Sequence, residues 1–287
     1  MEFCHISPAP MMRTFCIGRK THLTLAQLQE VDPDYVNFYK NESQSGSIII
    51  QDNGAFELTK MGLGMFPTDK LLSLADRIKA KYVVMSDYPD TDKSVTIKAA
   101  EQMAPSILRA GMGTFFVPQA KIGDLQGLLE SYEWALFSPL VDYIAFSILN
   151  VPNAYGVESD NKLQRYLSRY HFIKTLDDYL IKKHNRSLEQ LRKANNKLFH
   201  FLGMLDGPNE IDLINSLDVE INTWDSSAAI WAGLNGIAFD HSPTGLLAGK
   251  FEKHVDFNFY TGSKKLIDLA TQNMEIIDQK AANNKRS

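Results

Sequence analysis

Three acids and one amide each close a short apolar segment of the chain. These polar residues are Asp52, Asp87, Gln119 and Asp225. Carboxylates gathered in one place raise one another's pKa values, and they supply both a nucleophile and a general acid or base. Such a pair of acids suits substitution at the C1′ carbon of a sugar, which is the chemistry of glycosidases and of base-exchange enzymes. Residue types alone leave the substrate open.

The elements that must position these side chains are predicted by short apolar runs that alternate with helical patterns. Predicted strands cover 2–7, 35–39, 47–52, 82–87, 114–119, 142–147, 198–203 and 219–225. Eight strands with helices between them predict an α/β fold, a (β/α)8 barrel of the TIM type, as one domain over 1–287. Active sites of such barrels lie at the carboxyl ends of the strands, so we expect the three acids and Gln119 on one rim.

Simpler interpretations stand beside this one. Each strand-end acid, taken singly, is more typical of a cap for the following helix. The segment HLTLAQLQEV (22–31) predicts a helix with Thr24 as its N-cap and Gln27 in a capping box. His200 lies inside an apolar strand and is interpreted as a packed core residue. A doubly wound sheet is disfavoured because no Gly-x-Gly-x-x-Gly turn follows an early strand.

A locally basic stretch interrupts the alternation after the sixth predicted strand. Residues 151–197 carry ten Lys and Arg against five acids, and their pattern predicts a helical insertion. The candidate phosphate contacts in it are Lys162, Arg165, Arg169, Lys182 and Lys183. A solvated helical face is the alternative interpretation, and the sequence slightly favours it.

Composition limits the remaining classes of protein. The net charge of −4 argues against a chain that holds nucleic acid by bulk electrostatics. No segment is apolar over 18 residues, so no membrane partner is expected. Cys4 and Cys16 predict free thiols in a reducing cytoplasm. Zinc-binding spacings and phosphate-binding loops of the Walker type are missing from the sequence, so we expect neither a metal nor another cofactor.

Five short motifs, in order, resemble the tRNA-guanine transglycosylase superfamily, and especially the phage-encoded branch that inserts 7-deazaguanines into DNA. The matching segments are DNGAF (52–56), VMSD (84–87), VPQ (117–119), FLGM (201–204) and VEINTWD (219–225). The resemblance spans about residues 48–225. It implies a transglycosylase that exchanges guanine in double-stranded DNA for a 7-deazaguanine such as the 7-cyano form.

The resemblance also implies roles for individual residues. Asp225 corresponds to the nucleophile that attacks C1′, and Asp52 to the general acid and base. The residues implied to bind the base are Asp87, Gln119, Ser147, Gly203 and Met204. A flipped-out guanine would have to reach the rim.

Departures from the family pattern shape the expectation further. The zinc-binding cysteines of the tRNA enzymes are missing, as is the Pro-Thr-Arg that follows the family's nucleophile; here the chain reads SSAA (226–229). These differences favour the compact DNA-acting branch without a zinc subdomain, and a phage origin would place the protein in the host cytoplasm. The same exchange on tRNA and a non-catalytic nucleic-acid-binding barrel remain the alternatives. Oligomeric state is left open.

Overall fold

The chain folds into a nearly closed (β/α)8 barrel, as the alternation of strands and helices predicts. The computed structural model describes residues 1–158, 161–204, 207–246 and 254–283. Its eight parallel strands are β1 (Glu2–His5), β2 (Thr21–Thr24), β3 (Ile48–Gln51), β4 (Tyr82–Val84), β5 (Gly113–Phe116), β6 (Tyr143–Ser147), β7 (Leu198–Leu202) and β8 (Thr223–Ser226). Hydrogen bonds join them in the order β1-β8-β7-β6-β5-β4-β3-β2. All carboxyl ends therefore meet at one rim.

Helices cover the outside of the barrel. After a 3₁₀ turn at Ala9–Met11, they are α1 (Met12–Phe15), α2 (Ala26–Val31), α3 (Pro33–Gln44), α4 (Ala55–Lys60), α5 (Thr68–Arg77), α6 (Lys93–Arg109), α7 (Leu125–Phe137), α8 (Asn150–Ala154), α9 (Lys162–His184), α10 (Leu188–Ala194), α11 (Asn209–Asn215), α12 (Ala228–Leu234) and α13 (Lys264–Ala282). Three of them, α8 to α10, separate β6 from β7, where the sequence predicts a helical insertion. In the part of the chain that the structure describes, none of the helices combines the length and apolar composition needed to cross a membrane.

The second strand is misplaced in the sequence-based prediction. YVNFY (35–39) lies in α3, and β2 is the segment THLT (21–24), which the pattern assigned to a helix. The apolar residues of 35–39 recur with helical spacing, and the Asp32 side chain accepts hydrogen bonds from the backbone N–H groups of Asp34 and Tyr35. Thr24 is accordingly no N-cap; its hydroxyl donates to the Ile50 carbonyl at 3.2 Å.

Aromatic side chains fill the barrel below its carboxyl rim. Tyr143 stacks on Phe115 with 5.3 Å between ring centroids, and Tyr82 meets Tyr143 edge-on at 4.8 Å. The His200 ring lies edge-on to Phe115 at 5.1 Å. This layer makes the barrel interior a packed core and leaves the polar chemistry at the rim.

Several strands are shorter than the sequence predicts. β4 ends at Val84 and β5 at Phe116, so Asp87 and Gln119 each stand three residues beyond a strand, in the loops of the rim. β8 begins only at Thr223. Asn222, just before it, accepts a hydrogen bond from the Phe199 N–H at 2.8 Å through its side chain.

Candidate active site

The rim of the barrel brings together the four polar residues that the sequence singled out. Asp52 directly follows β3, Asp87 and Gln119 lie beyond β4 and β5, and Asp225 is the third residue of β8. Asp87 and Asp225 both contribute to the raised pKa of Asp52, which reflects their proximity to its carboxyl group. Because β1 and β2 lie between β8 and β3, Asp225 reaches the shared space from another sector of the rim than Asp52.

Asp52 is held at the start of a tight turn. Its Oδ2 accepts a hydrogen bond from the Gly54 N–H at 2.9 Å. Gly54 has φ +71°, and an added Cβ there would come within 3.0 Å of Gln27 Oε1, so glycine suits this turn. Burial raises the pKa of Asp52 to about 8, and the charge of Glu57 adds to the effect. Asp52 therefore carries a proton at neutral pH, as a general acid requires.

Asp87 lies between two amide side chains. Asn53 Nδ2 donates to Asp87 Oδ1 at 2.7 Å, and Gln119 Nε2 donates to Oδ2 at 2.6 Å. Burial raises the pKa of Asp87 to about 6, while the hydrogen bonds from the two amides act to lower it. A carboxylate fixed in this way accepts further N–H donors from a ligand.

Two buried amide oxygens at this part of the rim lack a partner within the described residues. They are Gln119 Oε1 and Asn150 Oδ1, and both side chains are about 3% exposed. Asn150 Nδ2 donates to the Pro118 carbonyl at 2.6 Å, which fixes its amide beside the β5 loop. Unpaired buried acceptors cost free energy, so a ligand rich in N–H donors would relieve that cost.

Asp225 receives both of its described hydrogen bonds on one oxygen. His200 Nε2 lies 2.9 Å from Asp225 Oδ1, and the Gly203 N–H donates to the same oxygen at 3.3 Å. The other ring nitrogen of His200, Nδ1, lies 2.7 Å from Thr223 Oγ1. This follows from the strand register, which pairs His200 with Thr223 and Leu202 with Asp225 on one face of the sheet.

The three other residues implied to bind the base also lie near the rim. Ser147 ends β6, and its hydroxyl accepts hydrogen bonds from Leu149 N and Asn150 N, both at 3.2 Å. Gly203 has φ +73°, and an added Cβ would lie 2.8 Å from the Ile148 side chain. Met204 is buried beside it. Ser147 thus has a local role in starting α8.

Arg169 requires a correction, because the structure buries the guanidinium that the sequence offered as a phosphate contact. Arg169 is fully buried and forms a bidentate ion pair with Glu210, with N–O distances of 2.7 Å. It also donates to the carbonyls of Phe146, Leu202 and Gly203, at 2.9 to 3.1 Å. Arg169 joins the insertion to the ends of β6 and β7 and has no face open to a nucleic acid.

Two of the other candidate phosphate contacts, Lys182 and Lys183, lie away from the rim. Lys183 donates to Glu133 in α7 at 2.7 Å, and the next residue, His184, packs against the Phe137 ring at 4.8 Å between centroids. This region of α7 leads into the amino end of β6. Lys182 is exposed there, about 20 Å along α9 from Arg169. Arg165 is half-buried, and the Lys162 side chain lies outside the described residues.

Two residues at the site were missed at the sequence level, and a third makes a contact that the sequence did not predict. The sequence gives Asn53 only a place in the DNGAF motif, yet its Nδ2 donates to Asp87 Oδ1 and to the Met85 carbonyl, each at 2.7 Å. Glu57, in the first turn of α4, is a fourth rim acid; burial raises its pKa, and Asp225 adds to the effect. His200 is buried in the barrel, as predicted for a core residue, and strand alternation also aims it toward Asp225.

Within the described ranges, no three His, Cys, Asp or Glu side chains come together in a way that would hold a metal ion. A search with protein-family models finds no match to this chain, and a search of curated proteins finds none either.

Proposed function

We propose that the protein is a transglycosylase that exchanges guanine in DNA for a 7-deazaguanine base. The observation that carries the proposal is the pair formed by Asp52 and Asp225. One acid keeps its proton at neutral pH because burial raises its pKa to about 8, and the other has a carboxylate oriented by two N–H donors. Two carboxyl groups with different tasks at one site are what double displacement at C1′ requires.

In the first half of the reaction, an oxygen of Asp225 bonds to C1′ as the bond from C1′ to N9 of guanine breaks. The electron pair leaves with guanine, and Asp52 supplies the proton that neutralises it. In the second half, the incoming base gives its proton to the Asp52 carboxylate. Its nitrogen then bonds to C1′ while the bond from C1′ to Asp225 breaks. Two displacements give net retention of configuration at C1′.

The base would be held by the acceptors next to Asp52. Guanine and its 7-deaza relatives present a ring N–H and an amino group along one edge. Asp87 accepts from such donors, and the unpaired Oε1 of Gln119 and Oδ1 of Asn150 lie at the adjoining strand ends. Matching donors to buried acceptors gives strong discrimination, because a base lacking them leaves the acceptors unpaired.

Contact with the polymer would fall to cations at the rim, since Arg169 is buried and Lys183 pairs with Glu133 toward the amino end of β6. Lys60 ends α4, the helix that begins at the Asp52 turn. Its ammonium lies 4.1 Å from the centroid of the exposed Phe56 ring and 3.3 Å from His254 Nδ1. An aromatic ring and a cation side by side suit a flipped-out nucleotide, because the ring stacks on a base and the cation meets a phosphate.

The experiment offers radiolabelled guanine and, separately, 7-cyano-7-deazaguanine to the protein with duplex DNA and with tRNA. We expect label in DNA, and trapping of a covalent complex between protein and DNA that disappears in the Asp225→Asn variant. Label in tRNA but not DNA would move the proposal to the tRNA exchange. Polymer binding without label in either would make the barrel a binding module, and neither binding nor label would overturn the proposal altogether.

A further inference from the structure

Asp225 is held from behind by two donors that are themselves fixed in place. His200 Nε2 and the Gly203 N–H both contact Oδ1, at 2.9 and 3.3 Å. Among the described residues, none donates a hydrogen bond to Oδ2. Within the described residues, the two oxygens of the carboxyl group are therefore in different environments, since only Oδ1 is engaged by the barrel.

The orientation of His200 follows from its second nitrogen. Thr223 Oγ1 lies 2.7 Å from Nδ1. A carboxylate only accepts hydrogen bonds, so Nε2 carries the hydrogen that points to Asp225. Nδ1 then accepts from the Thr223 hydroxyl. The Phe115 ring, 5.1 Å away, packs against the imidazole and prevents it from turning.

The Gly203 peptide is fixed by the insertion. Arg169 Nη1 donates to the Leu202 carbonyl at 2.9 Å, and that carbonyl belongs to the same peptide group as the Gly203 N–H. Arg169 Nη2 donates to the Gly203 carbonyl, also at 2.9 Å, and Trp224 Nε1 donates to it at the same distance. The peptide cannot rotate its N–H away from Asp225 without breaking these bonds.

We infer that His200 and the Gly203 peptide act as positioning groups that hold Oδ1 of Asp225 and thereby select Oδ2 as the oxygen that attacks C1′. The inference rests on the proposed function and deepens it. Oδ2 forms the bond to C1′ as the bond to N9 breaks, and Oδ1 keeps its two hydrogen bonds throughout. Neither His200 nor Arg169 touches the substrate. They fix the direction from which Oδ2 attacks C1′. Correct alignment of the reacting atoms raises the rate of the chemical step by a large factor.

The test compares three substitutions in the full chain. His200→Leu removes the donor, His200→Gln restores an N–H near the position of Nε2, and His171→Leu is the control at an exposed histidine of α9. We expect His200→Leu to lower kcat for base exchange about 100-fold with KM changed less than about threefold, and His200→Gln to recover at least about tenfold. His171→Leu should behave as wild type.

Thr223→Val supplies a variant that leaves the imidazole in place but removes the partner of Nδ1. It should lower kcat about three- to tenfold, again with little change in KM. Circular dichroism melting checks that each variant is folded. Should His200→Leu fail to fold, Thr223→Val and His200→Gln carry the test, and wild-type kcat in Thr223→Val would then overturn the inference.

A spectroscopic arm is independent of activity. In ¹⁵N-histidine-labelled protein, two-bond ¹⁵N–¹H correlations should show a hydrogen on Nε2 of His200. A bare Nε2 would overturn the inference, because such a ring cannot donate to Asp225. Full kcat in a folded His200→Leu protein would overturn it as well. Wild-type protein that exchanges no base would instead overturn the proposed function, and the spectrum would still decide whether His200 donates to Asp225.

Discussion

The carboxyl rim of the barrel and the basic insertion behave in opposite ways. On the rim, Asp52, Asp87 and Asp225 are far apart in the sequence and converge in space. In α9, Arg169 and Lys183 are close in the sequence, but their side chains lie far apart. Arg169 is buried under the rim, and Lys183 lies beside Glu133. Parallel strands deliver their ends to one edge whatever their spacing, whereas a helix of 23 residues distributes its side chains around its axis and along about 34 Å. The topology of parallel strands therefore brings functional residues together more reliably than a high number of charged residues in one stretch of sequence does.

The strongest challenge to the rim is removal of the proposed nucleophile. Asp225→Asn keeps the shape of the side chain but replaces the attacking oxygen with a poor nucleophile. We expect the rate of base exchange to fall at least about 10⁴-fold, and the covalent complex to disappear from denaturing gels. Asp268→Asn, at an exposed acid of α13, is the matched control and should keep full activity. Normal turnover by Asp225→Asn would remove Asp225 from the chemistry.

Arg169 tests whether the insertion is structural. Arg169→Lys keeps the charge but loses the planar fork that pairs with Glu210 and reaches three carbonyls. We expect the free energy of unfolding, measured by urea denaturation, to fall by about 3 kcal/mol. The salt dependence of DNA binding should stay the same. Wild-type stability in Arg169→Lys would instead show that the contacts of the planar fork do not stabilise the fold.

Asp52 gives a pH signature. Its folded-state pKa of about 8 lies above the ordinary value of an aspartic acid, so between about pH 4 and 8 the folded protein binds more protons than the unfolded chain. Stability from this group is therefore present at low pH and is lost as the pH rises through 8. At pH 9 we expect Asp52→Asn to have a higher unfolding temperature than wild type and a free energy of unfolding greater by about 1–3 kcal/mol. At pH 3 we expect no gain.

The same group controls the release of guanine. In wild type, the single-turnover rate of guanine release should decline above about pH 8 as Asp52 loses its proton. Asp52→Asn should be slow at every pH and should lack this decline. A wild-type decline that persists in Asp52→Asn would assign the titration to another residue.

The smallest expected effect separates the rim from the insertion as contacts for the polymer. Lys60→Ala, next to Phe56, should weaken DNA binding about three- to tenfold and reduce the slope of log affinity against log salt by about one. Lys182→Ala is the matched control and should change affinity less than twofold, because it lies toward the opposite end of the barrel. Binding is measured by fluorescence anisotropy over a salt series. A larger loss of affinity in Lys182→Ala than in Lys60→Ala would show that α9 contacts the DNA.

Prediction from the sequence succeeded where a local pattern determines the outcome. Apolar runs that end in Asp52 and Asp225 indicated buried strands, and strand–helix alternation predicted the barrel. The prediction failed at 21–39, where a helix was predicted in place of β2 and a strand was predicted within α3. Threonines and one histidine flanked by apolar residues do not distinguish strand from helix, and the cap at Asp32 is visible only when α3 is already assigned. The ends of β4 at Val84 and of β5 at Phe116 were also predicted three residues too late, because apolar residues continue beyond the ends of both strands.

The amino-acid sequence by itself determined the number of strands, the acids at or near their carboxyl ends and the glycine that turns the chain after Asp52, because these depend on residue type and spacing. Only the tertiary structure decided which polar groups face one another. His200 became the partner of Asp225 through the register of β7 with β8, and Asn53 became the partner of Asp87 through the closeness of two loops. Arg169 became a structural link because packing of α9 against the barrel buried it. Register and packing depend on the whole chain at once.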